Sequence, residues 1–178
     1  DFTVCLLNGA SENHIRNPPY RQSRGQLILD FFKFDTVDNF IENYSFENIE
    51  NFTLVIIHHK NDLQLCEFRW DGLTLTYTSK NPKVSHIWSS ATLYPKEIRT
   101  EREQWFNDFR QQNSNFTREQ VIDFHLNGGT GDIHNDMRIN RDGKLITQCI
   151  FQVLKQHQYL SFSFHDLLSG QELLYRVL

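Results

Sequence analysis

The run Phe52-Thr-Leu-Val-Ile-Ile57, followed by His58-His59, sets apolar side chains at consecutive positions. A strand with one wet face alternates apolar and polar residues. This run does not alternate, so it predicts a strand buried on both faces. It is also far too short to cross a bilayer. Whatever this chain folds into must therefore cover the run from two sides.

The flanking segments supply the rest of a sheet. Leu63 to Arg69 and Leu73 to Thr78 read as strands joined by Asp71-Gly72, a strong hairpin signal, and Asn61-Asp62 reads as the turn before them. Phe2 to Leu7 reads as a buried strand that stops at Asn8-Gly9-Ala10. Val84 to Trp88 reads as a further strand. Helical patterning lies between and after these. Ser23 can cap a helix through Leu27, Ile28, Phe31 and Phe32. Asp35 or Thr36 can cap another with Val37, Phe40, Ile41 and Tyr44. Pro95 suits the first turn of a helix whose stripe is Ile98, Arg102, Trp105, Phe106 and Phe109. Thr117-Arg-Glu-Gln120 is a capping box, and its helix ends before Gly128-Gly129. Leu145 to Val153, Tyr159 to Phe164 and Leu173 to Val177 then read as strands, with turns at Asp142-Gly143 and Ser169-Gly170. The order of strands and helices predicts an α+β fold, as a single domain over 1–178.

Composition narrows the function classes. The formal net charge is −4 and no Lys/Arg stripe is visible, which argues against a nucleic-acid partner. Three widely spaced cysteines, Cys5, Cys66 and Cys149, form neither a disulfide framework nor a zinc pattern. With no basic-then-apolar leader and no membrane span, a cytoplasmic location is the expectation. The chain opens at Asp1 directly into a strand, so a further segment is expected in front of it.

Several strand-end clusters have two readings each. Asn8-Gly9 can offer a side-chain amide and a backbone N–H to an oxyanion, or it is a plain turn. Ser89, Ser90 and Thr92 can border a pocket, or cap the helix begun by Pro95. Arg24, at a helix start, can hold a phosphate or carboxylate, or stand in solvent beside a cap. His125 and His134 with Asp132 and Asp136 match no tight metal-ligand spacing, so no metal site is assigned. His58 and His59 point to opposite faces and do not act as a pair. Asn140-Arg-Asp-Gly143 is a hairpin turn. The three cysteines sit in apolar contexts with no base nearby in sequence.

Taken in order, several pieces resemble the NRDE family, the group that includes transport and Golgi organization protein 2. They are Cys5-Leu-Leu-Asn-Gly-Ala10, Pro18-Pro-Tyr-Arg-Gln-Ser-Arg-Gly25 and Phe52-Thr-Leu-Val-Ile56. After them come His86-Ile-Trp-Ser-Ser-Ala-Thr-Leu-Tyr94, Arg102-Glu-Gln-Trp-Phe106, and Asp123-Phe-His125 with Gly129-Thr-Gly-Asp132. The Pro-Pro-Tyr and Ile-Trp-Ser-Ser pieces look most like bacterial members. The family is similar to the N-terminal-nucleophile hydrolases, which implies an αββα sandwich, here incomplete at its N-terminus. In the amidase relatives a terminal cysteine is the nucleophile and its own α-amino group is the base. By position, Asn8 matches an asparagine that polarises the scissile carbonyl. Ser89 stands where many members carry a second asparagine. Gly9, Ser90 and Arg24 are then expected near the ligand.

The family's opening segment, with its cysteine and its Asn-Arg-Asp-Glu motif, has no counterpart here. Asn140-Arg141-Asp142 is not that motif, because its fourth residue is Gly143. Three expectations follow. The first is small-molecule binding or trafficking on an amidohydrolase-like scaffold. By resemblance this would be haem-related, although no cofactor is evident; His125, His134 and Met137 are the available axial ligands. The second is a C–N amide hydrolase acting on linear amides, whose cysteine comes from the missing segment. The third is an inactive, truncated domain that self-associates through open sheet edges.

Overall fold

The computed structural model describes residues 1–60, 63–156 and 159–177. It is a mixed helix-and-strand chain in two compact units, Asp1–Arg99 and Thr100–Leu178. All strand pairs are antiparallel, which makes the chain α+β.

The first unit is built on β1 (Phe2–Asn8), β2 (Phe52–His58), β3 (Gln64–Trp70) and β4 (Leu75–Lys80), in that spatial order. Register places Leu54 between Leu6 and Phe68, and Asn8 opposite Phe52. On one face lie α1 (Arg24–Phe31) and α2 (Val37–Asn43). Leu27, Phe31 and Phe40 from these helices are sealed against Phe52, Leu54, Ile56 and Phe68. Phe31 meets Phe40 edge-on at 5.2 Å, a favoured geometry for aromatic pairs. Removing either ring would cost about 3–5 kcal/mol. The Thr36 side chain accepts from the Asn39 N–H and so starts α2, one of the two caps expected there. Ser23 occupies the N-cap of α1 without a side-chain cap bond. From Phe52 to Ile56 every residue of β2 is buried, on both faces.

Two expectations in this unit are corrected. Strand β4 starts at Leu75 and not at Leu73, because the Asp71 carboxylate accepts from the N–H groups of Leu73 (2.9 Å) and Thr74 (2.7 Å). That local bonding holds residues 71–74 in a turn. Val84 to Trp88 is not a strand. Its anchors are side chains instead. The Trp88 indole N–H donates to Glu67 Oε2 at 2.6 Å, and His86 Nε2 bonds the Asn81 carbonyl at 2.8 Å. The expected turn at Asn61-Asp62 lies outside the described residues.

The second unit takes most of α3 (Lys96–Gln112), then α4 (Arg118–Asn127), a short hairpin of β5 (Asn140–Arg141) and β6 (Lys144–Leu145), and a sheet of β7 (Cys149–Gln156), β8 (Tyr159–Asp166) and β9 (Glu172–Val177). Both bonds of the Thr117–Gln120 capping box are present, and Gly128 is the C-cap. Phe109 stacks on Phe124 at 4.9 Å, joining the two helices. Arg102, placed in the apolar stripe by its spacing, is only 6% exposed and donates to the carbonyls of Asn135 and Asp136. Those bonds satisfy a buried guanidinium that the stripe alone could not.

Asp142 (φ 52°) and Gly143 (φ 72°) form the expected tight turn between β5 and β6. The strand expected over Leu145 to Val153 is broken in two. The Ile139 carbonyl accepts from Ile146 and Thr147, and the Thr147 hydroxyl accepts from the Ile139 N–H, so the chain turns a corner before Cys149. In the β7–β9 sheet, register aligns Phe151, Phe164 and Leu173, and then Val153, Phe162 and Tyr175. This face is rich in exposed apolar side chains: Phe151 and Tyr175 are 61% and 60% open. Among the described residues no helix is long and apolar enough to cross a membrane.

Candidate functional site

The end of β1 gathers most of the residues singled out from the sequence. Asn8 closes the strand and is exposed, and Gly9 and Ala10 turn inward and are buried. Gly9 adopts φ +84°, a conformation that glycine takes without strain. A Cβ there would lie 3.0 Å from both Ala91 Cβ and Thr92 Cγ2. The turn is thus pressed against the hydroxyl-rich segment more than eighty residues away. Ser90 seals the contact: its Oγ donates to the Asn8 carbonyl at 2.8 Å and shares a 3.1 Å bond with Thr92 Oγ1. The Ser90 carbonyl accepts from Leu93 and Tyr94 and winds the chain toward α3. Ser90 is therefore a buried tether, and the half-buried Ser89 sits next to it in the chain.

Three arginines stitch the neighbouring backbone. Arg24 donates to the Asn51 carbonyl and pairs with Glu50 at 3.4 Å. Arg69 donates to the Ala10 carbonyl and holds Glu67 through two bonds of 3.1 and 3.0 Å. Arg99 donates to the Ser11 carbonyl and pairs with Glu12. The Asn51 carbonyl that takes Arg24 also accepts the Gly9 N–H at 3.0 Å. Two of the readings meet this geometry. Arg24 is an internal brace and does not stand in solvent beside the cap. The Gly9 N–H is engaged, so it does not complete an oxyanion pair with the Asn8 amide. That amide itself forms no hydrogen bond with a described residue.

Two buried carboxylates organise the surroundings. Glu50 faces His14 (3.2 Å), Arg16 (3.0 Å) and Arg24. Burial lowers the Arg24 guanidinium from its ordinary value, Glu50 opposes this, and Arg16 adds to it. Glu67, 4% exposed, takes Arg69, Trp88 and, at 3.5 Å, Lys80. Burial pushes its carboxyl up, but the bonds from Arg69 and Trp88 outweigh that and hold it below the usual carboxylate range. Neither set is legible from sequence: Arg69 is two residues from Glu67, but Trp88 and all three partners of Glu50 lie twenty or more residues away. Cys5 sits mid-strand with no hydrogen-bonded base. It reaches solvent on one side, yet the protein around it raises its thiol, so it is a poor nucleophile.

The histidine–aspartate group that follows α4 is dispersed. The Asp136 carboxylate accepts from the Thr130 and Gly131 N–H groups, and Asp132 accepts from His134 N–H and Asn135. His134 lies on the surface, whereas His125 and Met137 line a cavity of 270 Å³. Among the described residues no cluster of three or more His, Cys, Asp or Glu is placed to hold a metal ion. His58 stacks on Phe2, and His59 bonds Thr3 Oγ1, so the two histidines serve separate contacts.

Chemically, the end of β1 offers a braced turn with one open carboxamide. It can donate to a ligand oxygen or accept from a ligand N–H. The chain matches no known protein-family model and no curated protein.

Proposed function

We propose that this chain is an NRDE-like binding protein, on a scaffold similar to the αββα sandwich of the N-terminal-nucleophile hydrolases, and that the end of β1 meets a small molecule through a carbonyl or carboxylate oxygen. The observation that carries this reading is the 2.8 Å bond from Ser90 Oγ to the Asn8 carbonyl. It joins the two segments that the family resemblance assigns to one pocket, leaving the Asn8 amide outward. Each unit being helices laid on an antiparallel sheet also agrees with the scaffold. A preorganised turn costs little to order when a ligand arrives.

A haem cargo rests on the same resemblance. The cavity that holds His125 and Met137 measures 270 Å³. That lies just under the range of roughly 300–1,000 Å³ usual for small-molecule sites, which favours a ligand smaller than a porphyrin. A Soret shift at stoichiometric haem would put haem ahead of the small carbonyl ligand.

The test exploits the exposure of Asn8. Asn8→Ala should leave stability within about 0.5 kcal/mol of the parent. Linear amides and their carboxylic acids are titrated against both proteins, followed by ¹⁵N NMR of the β1 turn. Binding by the parent that Asn8→Ala weakens supports the site, and equal binding by both proteins sinks it.

A hydrolase reading is favoured only if a cysteine precedes Asp1. Intact mass and N-terminal sequencing of the protein made from its native gene decide that point. The exposed apolar face at Phe151 and Tyr175 favours a third reading, pairing with another chain. Light scattering of a strict monomer would count against it.

A further inference from the structure

The second unit holds a cavity that the β1 site does not use. It lies between α4 and β7, with a volume of 270 Å³. Val121 and Ile122 form apolar wall on the helix, and Met137 closes another side. No lining residue carries a permanent charge. A charged ligand would lose its water without gaining a counter-ion, so the site selects against ions.

Two of the lining residues carry a polar group that forms no hydrogen bond with a described residue. Gln152 uses its amide N–H₂ on the Arg118 carbonyl at 3.3 Å, and its Oε1 is buried with no hydrogen bond. That oxygen is sealed from water, so of the two residues His125 is the one that presents a polar group to the cavity. The His125 imidazole makes an edge contact with Phe124 and no hydrogen bond to a described residue. Burial, helped by the positive charge of Arg102, lowers its pKa, so the ring is neutral at physiological pH and offers one donor and one acceptor. The volume equals roughly nine liquid waters at about 30 Å³ each, which is fragment size.

We infer that the cavity between α4 and β7 is a binding site for a small, uncharged, largely apolar molecule that carries a hydrogen-bond donor, with His125 taking its polar end.

Met137 is the chain's only methionine, so a ¹³C-methyl-methionine label gives a single signal from the cavity wall. Phenol serves as the probe, and toluene, its near-isostere without the hydroxyl, as the control. Phenol should shift the Met137 methyl saturably in the millimolar range and bind roughly tenfold tighter than toluene, because a site built for a donor penalises its loss. His125→Leu should erase that preference while toluene still binds. Ile122→Trp, which fills the cavity from the helix, should abolish both. The dispersion of the amide spectrum shows that each variant is folded. No methyl shift up to the solubility limit would mean that the cavity holds water only, and would overturn the inference. Equal binding of phenol and toluene in the parent would overturn it too.

Discussion

Replacing Glu67 by alanine tests the bracing that defines the β1 site. Glu67 is 4% exposed and takes the Trp88 N–H at 2.6 Å, two bonds from Arg69, and Lys80 at 3.5 Å. A hydrogen bond to a buried carboxylate contributes about 1.5 kcal/mol. The Arg69 pair adds about 1 kcal/mol after discounting for a guanidinium that is 28% open, and Lys80 about 0.3 kcal/mol. The expected loss is about 3 kcal/mol. Urea unfolding followed by far-UV circular dichroism measures it. Trp88→Phe should lose about 1.5 kcal/mol, and the double-mutant cycle should show a coupling of similar size.

The consequence should also be local. With its anchor gone, the segment from His86 to Thr92 should exchange its amide hydrogens faster, and Asn8 should lose ligand with it. Because the carboxyl is held below its usual range, its contribution is present at neutral pH and is lost as pH falls through that lowered value. A Glu67→Ala protein within about 0.5 kcal/mol of the parent, or a cycle with no coupling, would refute the reasoning.

Gly9→Ala should destabilise by about 2 kcal/mol, from positive φ and the 3.0 Å approach to Ala91 and Thr92; a neutral result in the same urea assay would show that the turn is loose. Asp30 takes bonds from Lys33, Gln22, Gln26 and Tyr44 that hold its carboxyl well below the usual range. Acid titration should therefore weaken the parent more steeply than Asp30→Asn as pH falls below ordinary carboxylate values. Burial, and then Asp30, push the Tyr44 hydroxyl up to about 12, so stability should decline as pH rises from the usual tyrosine value of about 10 toward that point. Thermal unfolding scans across pH check both limbs, and flat limbs would contradict the network.

Features set by neighbours in the chain were legible without coordinates. The Thr117–Gln120 capping box, the Asp142-Gly143 turn and the Thr36 cap each need only three or four residues to satisfy their own backbone groups. The doubly buried run from Phe52 to Ile56 was equally plain, since consecutive apolar side chains cannot all face water. Val84 to Trp88 misled because strand propensity says nothing about whether a ladder partner exists. There the indole found Glu67 instead. Leu145 to Val153 misled because the Thr147 hydroxyl and the Ile139 carbonyl bend a run that local preference would have kept straight.

The site divides along the same line. Sequence pattern alone determined that a turn follows β1 and that hydroxyls cluster at Ser89 to Thr92, because glycine's freedom and side-chain chemistry are properties of single residues. Only the tertiary structure decided that Ser90 would clasp the Asn8 carbonyl, that Arg24 and the Gly9 N–H would share the Asn51 carbonyl, and that the Asn8 amide would be left open. Hydrogen bonds and charge pairs depend on distance in space. Segments eighty residues apart come within 3 Å only after the apolar core has closed beneath them.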